Sequence, residues 1–337
     1  MRVAVYGAGA MGTVLGAYIA RSGLPIDLIS RNKEHVAALK KDGAQIVGSA
    51  PFTQTVNALT DGEMTGKYDL IFLMTKQREN AKIVEFLSRF LSLDGVICTL
   101  QNGLPEPSIA KIIGADRTYG CAVAWGATKE GAGVVRLTSD PSALTFSLGA
   151  FGEDRSKLND IAAYLSKMGK VETVSDLLGA RWTKLSVNAA FSGVSAVTGM
   201  TFGEAAKEKI SRGIVLAVFR ECARVAEAAG IRPTKIQGKN ALYLLDGKTA
   251  LKRAVANVLL PFAMRKHARL SSGMLHDLRA GKKCEIDYID GVVSAYGKKY
   301  GVETPYCDGL CRIAHEIEEG KREISRKNID DIPTFEK

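Results

Sequence analysis

The stretch "VAVYGAGAMGTVLGAYIAR" at residues 3–21 decides the fold of the first part of the chain. A short apolar segment leads into glycines at positions 7, 9 and 12, spaced G-x-G-x-x-G, and an apolar run follows them. This order predicts a strand, a tight turn and a helix that bind the diphosphate of a dinucleotide. A turn that only packs one strand against one helix is the alternative without a ligand. We assign five residues to the cofactor site: Gly7, Gly9, Ala10, Met11 and Gly12.

The second apolar strand, "PIDLIS" at residues 25–30, indicates which dinucleotide binds. A NAD-binding fold commonly carries Asp or Glu near the end of this strand, where the carboxylate binds the ribose hydroxyls. Here Arg31, Asn32 and Lys33 follow instead. A guanidinium binds a 2′-phosphate, which a carboxylate would repel, so the sequence favours NADP (as NADPH) over NAD. A solvated loop arginine is the alternative interpretation of Arg31.

Two later apolar runs, "YDLIFLMTK" at residues 68–76 and "GVICTLQNG" at residues 95–103, are typical of parallel strands buried on both faces. Ligands bind at the carboxyl edge of an open α/β sheet, so we assign Lys76 to the cofactor and Asn102 to cofactor and substrate. Asn-Gly is also ordinary turn chemistry, which leaves a structural role open for Asn102.

Further strands are expected within residues 121–137 and 145–151, then a helix from about residue 153 and a strand at 170–175. Ala127, in the first of these stretches, is a further cofactor candidate.

The pattern becomes helical after Ser175, which predicts a dinucleotide-binding domain at residues 1–175 and a mostly α-helical domain at residues 176–337. Helices are expected at residues 176–198, 211–229, much of 249–264, 286–300 and 304–319. The fold class is therefore α/β, a Rossmann-type domain followed by a mostly α-helical C-terminal domain.

The composition excludes several classes of protein. The 337 residues are 46% hydrophobic and 24% charged, as in an ordinary globular protein, and the net charge is +10. The basic residues are not interleaved with aromatic residues, so small anions explain them better than nucleic acid. The six cysteines lack paired zinc spacing, and no apolar run is free of glycine or polar interruptions. We expect a cytoplasmic protein with no metal, nucleic-acid partner or membrane segment.

A narrow polar stripe runs along the otherwise apolar segment "ARWTKLSVNAAFSGVSAVTG" at residues 180–199. Lys184, Asn188 and Ser192 are spaced four residues apart, and residues 185–203 carry no charge. The stripe is either the solvent-exposed face of an amphipathic helix or the lining of a binding site. Position and composition do not decide between these two readings.

The motifs together resemble the ketopantoate reductase (2-dehydropantoate 2-reductase) family over nearly the whole chain. The matching segments are "GAGAMG", Arg31 followed by "HVAALKKDG", "LQNG", "WTKLSVN" and "MLHDLRAGKKCEIDYIDG". The resemblance implies NADPH-dependent reduction of a small anionic 2-oxo acid, with ketopantoate in pantothenate biosynthesis as the best single substrate. It also leaves a homodimer open.

The same resemblance implies roles for residues of the second domain. Lys184 is the general acid, Asn188 binds substrate, and Glu285 completes the catalytic site and contacts the cofactor. Ser192 and Ser272 are assigned to the substrate. Gly273 and Phe202 stand where the family carries a polar residue, which leaves open a different 2-oxo acid. A protein that senses NADP(H) without turnover is the rival of another class.

Overall fold

The computed structural model describes residues 1–234, 242, 245 and 249–332. The chain forms two compact units. The first contains Met1–Gln101 and Pro105–Leu177, and the second contains Asn102–Leu104 and the chain from Leu178 onward. The break at Leu177 lies close to the domain boundary expected from the sequence. The short segment with Asn102 groups with the second unit although it directly follows a strand of the first.

The first unit consists of twelve strands and five α-helices joined by short turns. Its strands are β1 Val3–Tyr6, β2 Asp27–Ile29, β3 Ala44–Gly48, β4 Phe52–Gln54, β5 Asn57–Leu59, β6 Tyr68–Leu73, β7 Leu91–Thr99, β8 Thr118–Val123, β9 Ala127–Lys129, β10 Val134–Leu137, β11 Thr145–Ala150 and β12 Lys170–Thr173. Its α-helices are α1 Ala10–Arg21, α2 Lys33–Asp42, α3 Asn80–Ser88, α4 Glu106–Ile113 and α5 Leu158–Leu165.

Eight of these strands form one sheet in the order β12-β11-β8-β7-β6-β1-β2-β5. The six strands from β5 to β8 are all parallel, and their order reverses direction at β1, as in the Rossmann arrangement. Side chains of β1 alternate between two apolar cores, with Val3 and Val5 in one and Ala4 and Tyr6 in the other. Burial on both faces explains why these strands are continuously apolar in sequence.

A second sheet of four strands, in the order β4-β3-β10-β9, belongs to the same unit. His35 of α2 connects this sheet to α1, because its Nδ1 accepts from the Gly133 N–H at 3.0 Å and its Nε2 lies 3.0 Å from Thr13 Oγ1. Burial lowers the pKa of His35 to about 4, and the charge of Lys129 adds to that effect. His35 therefore holds these elements together as a neutral side chain.

Among the described residues of the second unit, the regular secondary structure is all helical. Its α-helices are α6 Leu177–Asn188, α7 Val194–Thr198, α8 Phe202–Lys207, α9 Lys209–Ala228, α10 Ala250–Ala263, α11 Gly273–Arg279, α12 Ile286–Tyr300 and α13 Pro305–Glu318. Helix α9 is central to its core, where Ile214, Phe219 and Val225 are almost fully buried. The predicted α/β fold with a helical C-terminal part is confirmed.

Two local expectations were wrong. The helix expected from residue 153 begins at Leu158, and the helix expected over residues 176–198 is interrupted by a π-helical turn at Ala189–Gly193. The π-helical turn packs against α12 through Gly193.

Candidate active site

The glycine-rich turn after β1 has the geometry that a diphosphate requires. Gly7 has a φ of +101°, and a Cβ there would lie 2.6 Å from the Thr75 nitrogen, so both conformation and space demand glycine. A Cβ on Gly12 would overlap the Gly7 carbonyl oxygen. At Gly9, by contrast, the nearest atom to such a Cβ is 4.0 Å away. Packing therefore does not require glycine at position 9, whereas the close approach of a ligand would.

The N-terminus of α1 follows this turn and is suited to an anion. Gly9 is the N-cap residue, it supplies no side-chain cap, and the first turn carries no acidic side chain. Ala10 and Met11 are the first two helical residues, so their N–H groups have no carbonyl partner within the helix. These N–H groups and the helix dipole together favour a phosphate at this end of α1.

A groove of about 590 Å³ lies at the carboxyl ends of β1, β2 and β6, on either side of the point where the strand order reverses. Bound dinucleotides occupy this position in open α/β sheets. The groove is lined by Tyr6, Gly7, Gly9, Ile29, Ser30, Arg31, Asn32, Met74, Thr75, Lys76, Arg78 and Glu79. Arg31 and Lys76, both predicted from sequence, therefore line one groove.

Arg31 forms an ion pair that the sequence did not indicate. Its Nη1 lies 2.7 Å from Oε2 of Glu79, and the two side chains are 57% and 49% exposed. The hydrogen bond to Glu79 raises the pKa of Arg31, and the same bond lowers the pKa of Glu79. Glu79 follows β6, far from Arg31 in sequence, and the two meet because β6 and β2 both flank β1 in the sheet.

A buried amide network orders the chain before Asn102. Gln101 Nε2 donates to the Thr75 carbonyl oxygen and to Asn80 Oδ1, each at 2.7 Å. Gly103 then adopts a φ of +78°, which turns the chain sharply. Asn102 is exposed between these two anchored residues. The network and the turn together hold this Asn-Gly corner in place.

Helix α6 brings the polar stripe of the second unit to Asn102. Asn188 Nδ2 donates to Asn102 Oδ1 at 3.3 Å. Lys184, one turn earlier on α6, is partly buried. Burial lowers the pKa of Lys184, and the positive charge of Arg181 lowers it further. A lysine in this state releases its proton more readily than an exposed one, which suits a proton donor.

The π-helical turn that follows Asn188 packs closely against α12. A Cβ on Gly193 would lie 2.7 Å from Oδ1 of Asp290, so only glycine fits beside this carboxyl group. Asp290 is fully buried, and among the described residues its carboxyl oxygens have no hydrogen-bond partner. Burial raises the pKa of Asp290 well above its usual range. Ser192 lies within the turn and is partly buried.

The remaining substrate candidates lie at the N-terminus of α11. Ser272 is 2% exposed, and its hydroxyl accepts from the Met274 N–H at 3.0 Å as the helix cap. A Cβ added to Gly273 would meet no atom within 4 Å. Phe202 packs its ring against Phe191, with ring centroids 5.5 Å apart. The phenyl ring therefore extends the apolar core, and the position of Gly273 leaves open space.

Glu285 and Ala127 are the two remaining residues predicted from the sequence. Glu285 is the N-cap residue of α12 and is partly buried. Ala127 begins β9 in the four-stranded sheet, where it pairs with Leu137, and it does not line the groove. The roles assigned to both residues stay predictions.

The described residues contain neither a metal-binding cluster nor a membrane-spanning helix. Within residues 1–234 and 249–332, together with positions 242 and 245, no group of His, Cys, Asp or Glu side chains could hold a metal ion. No helix among those same residues is long and apolar enough to span a membrane.

Comparisons with known proteins place the chain in a family. A family model described as ketopantoate reductase PanE/ApbA matches residues 3–150, and one described as ketopantoate reductase PanE/ApbA C terminal matches residues 176–318. A 2-dehydropantoate 2-reductase of Lactococcus lactis is 27% identical over 95% of this chain and 98% of its own length. One of Archaeoglobus fulgidus is 26% identical over 95% and 98%.

Solved structures agree with this assignment. A D-mandelate dehydrogenase with NADH and anilino(oxo)acetate superposes with a TM-score of 0.82, at 26% identity over 95% of this chain and 99% of that one. A 2-dehydropantoate 2-reductase of Geobacter metallireducens superposes with a TM-score of 0.79, at 26% identity over 94% and 99%. The chain therefore belongs to the ketopantoate reductase family, and it is an oxidoreductase that uses a nicotinamide dinucleotide.

Proposed function

We propose that this enzyme reduces a 2-oxo acid to the 2-hydroxy acid with NADPH, and that its substrate is 2-dehydropantoate, which becomes pantoate in pantothenate biosynthesis. The observation that carries this proposal is Lys184, a partly buried lysine whose pKa burial lowers. It lies one helical turn from Asn188, whose amide contacts Asn102. The names of the curated relatives support the choice of substrate.

The chemistry requires a proton donor at the ketone oxygen. Bound NADPH supplies the hydride that the carbonyl carbon receives. The oxygen becomes negative as the hydride arrives, and the Lys184 ammonium stabilises that charge and donates one proton to it. The products are the 2-hydroxy acid, NADP⁺ and a neutral lysine, which regains its proton from water. A lowered pKa favours this transfer, because the ammonium is then a stronger acid.

The other site residues position the substrate in this proposal. The Asn188 and Asn102 amides carry N–H donors that suit a carboxylate or hydroxyl of the substrate. In the same proposal Ser192 and Ser272 contact the substrate, and Glu285 orients Lys184 or accepts a hydrogen bond from a substrate hydroxyl.

The preference for NADPH rests on the groove of the first unit. Arg31, Lys76 and Arg78 place three cations along its lining, against the one carboxylate of Glu79. A 2′-phosphate gains charge-assisted hydrogen bonds from such groups, each contributing about 1.5–3 kcal/mol. We expect NADPH to bind on the order of 10-fold to 100-fold more tightly than NADH, and Arg31→Ala to remove most of that difference.

A second candidate substrate is a bulkier, more apolar 2-oxo acid. The D-mandelate dehydrogenase structure supports it, as do the phenyl ring of Phe202 and the open space at Gly273. A pocket with fewer polar groups should discriminate between 2-dehydropantoate and 2-oxoisovalerate by only about 10-fold to 200-fold, and Gly273→Ser should widen that ratio.

The test is NADPH oxidation with purified enzyme and a panel of 2-dehydropantoate, 2-oxoisovalerate and phenylglyoxylate. We expect the highest kcat/KM with 2-dehydropantoate. A higher value with phenylglyoxylate would favour the second candidate. Tight NADPH binding without turnover of any 2-oxo acid would contradict the enzymatic proposal and favour a sensor. A homodimer also stays a prediction, which light scattering on the purified protein would check.

A further inference from the structure

The Glu79 carboxylate belongs to the groove in which we expect the dinucleotide to bind. It closes the 3₁₀ turn Gln77–Glu79 after β6 and lines the groove beside the end of β2. Its Oε2 is 2.7 Å from Nη1 of Arg31, the group proposed to bind the 2′-phosphate. No acidic residue directly follows β2 in the sequence, but the fold brings the Glu79 carboxylate to the end of that strand.

The pair contributes little to the stability of the fold. Both side chains are about half exposed, and water screens the attraction within ion pairs of that kind, so they add little to protein stability. Exposure also leaves each group free to exchange its partner for a ligand. Changing either residue should therefore alter ligand binding without unfolding the protein.

A second carboxylate near the groove is less well placed. Asp61 acts electrostatically on Arg31 and on Tyr6. Its Oδ1, however, accepts the N–H of Gly62 at 3.0 Å within its own turn, and Asp61 does not line the groove. Glu79 is thus the carboxylate that directly contacts the guanidinium.

We propose that Glu79 sets the coenzyme preference of the enzyme. Its carboxylate accepts hydrogen bonds from the ribose hydroxyls of NADH, as a carboxylate at the end of the second strand does in NAD-binding folds. It also competes with the 2′-phosphate of NADPH for Arg31 and repels that phosphate. Arg31 and Glu79 therefore favour opposite coenzymes, and the enzyme binds both. This inference rests on the dinucleotide groove of the proposed function but not on the identity of the 2-oxo acid.

The experiment compares the Kd values of NADPH and NADH, measured by nucleotide fluorescence, for the full-length wild type and Glu79→Gln. Glutamine keeps the size of the side chain and removes its charge. We expect NADPH to bind about tenfold more tightly and NADH several-fold more weakly. Glu85→Gln is the matched control, because Glu85 is exposed on α3 outside the groove. It should leave both Kd values unchanged.

Three outcomes would overturn the inference. Unchanged Kd values in Glu79→Gln would show that the carboxylate does not contact either coenzyme. Equal tightening of NADPH and NADH would show only an effect of net charge, and so would the same shift in Glu85→Gln. A wrong proposed function would give a different result. The enzyme would then not reduce 2-oxo acids with NADPH, but Glu79→Gln would still shift the ratio of the two Kd values.

Discussion

The charged groups singled out in the two units differ in their exposure to water. In the first unit the charged pair at the groove, Arg31 and Glu79, is about half exposed. In the second unit burial lowers the pKa of Lys184 and raises that of Asp290. Water screens the Arg31 and Glu79 pair, so these charges change ligand affinity by modest factors. Lys184 and Asp290 are poorly screened, so burial shifts their proton affinities. These shifts affect the proposed proton transfer and the stability of the fold.

The largest effect expected from this contrast is on turnover. Lys184→Ala removes the proposed proton donor and should lower kcat by about 100-fold to 10,000-fold, because the charge and proton act mainly in the transition state. The Kd of NADPH should change little. Steady-state kinetics and fluorescence titration measure the two quantities. Retention of most activity would show that Lys184 is not the proton donor and favour its alternative role on the solvent-exposed face of an amphipathic helix.

Lys184→Arg is the matched variant. It keeps a positive charge, but a guanidinium holds its proton too firmly to donate it. The variant should bind substrate and remain slow. Wild-type turnover in Lys184→Arg would show that charge alone is sufficient.

The next effect concerns stability and Asp290. Because its pKa is raised in the folded protein, the carboxyl stays protonated there above pH 3.8 while it ionises in the unfolded chain. The free energy of unfolding should therefore fall as the pH rises from the usual pKa of an aspartate towards the raised pKa of Asp290 in the folded protein. Asp290→Asn removes that loss, so its free energy of unfolding should gain on the wild type by about 1.4 kcal/mol for each pH unit in this window.

Chemical denaturation at pH 5, 6 and 7 would measure this difference. Glu221 must be considered as well, because burial also raises its pKa and its charge acts on Asp290. It is present in both proteins, so the comparison isolates Asp290. Asp308→Asn, at an exposed carboxylate of α13, is the control. A constant difference between Asp290→Asn and wild type would show that Asp290 is ionised in the folded protein.

The smallest effect separates two glycines of the turn. Gly9→Ala should weaken NADPH binding by about tenfold and leave the thermal midpoint unchanged, because the added methyl meets only ligand space. Gly12→Ala adds the same methyl against the Gly7 carbonyl and should lower the thermal midpoint. Thermal unfolding and NADPH titration of both variants would check the pair. Equal destabilisation would mean that position 9 is glycine for packing.

The sequence predicted most where the physical cause is local. The spacing of glycines indicated the turn after β1, the continuous apolar runs indicated buried parallel strands, and the helix expected at 286–300 was found at Ile286–Tyr300. Helix α8 was missed, although Thr201 and Glu204 form a capping box at its start. That signal was present in the sequence and could have found the helix.

The features that the sequence did not predict depend on contacts between distant residues. The π-helical turn brings Gly193 against the Asp290 carboxyl of α12, nearly a hundred residues later in the chain. The Arg31 and Glu79 pair needs the order of strands in the sheet. The roles of Lys184, Asn188 and Glu285 were inferred from resemblance to a family, and only kinetics can test them.

If Lys184 donates the proton that completes reduction of the 2-oxo acid, the rate of hydride transfer must depend on its protonation. A general acid must be protonated, so the single-turnover rate of NADPH oxidation should fall as the pH rises through the pKa of Lys184. Because burial lowers that pKa, the fall should begin below the pH at which an ordinary lysine, with a pKa of 10.5, loses its proton. We expect this fall in the wild type and a slow rate independent of pH in Lys184→Ala. The same pH dependence in both proteins would contradict it.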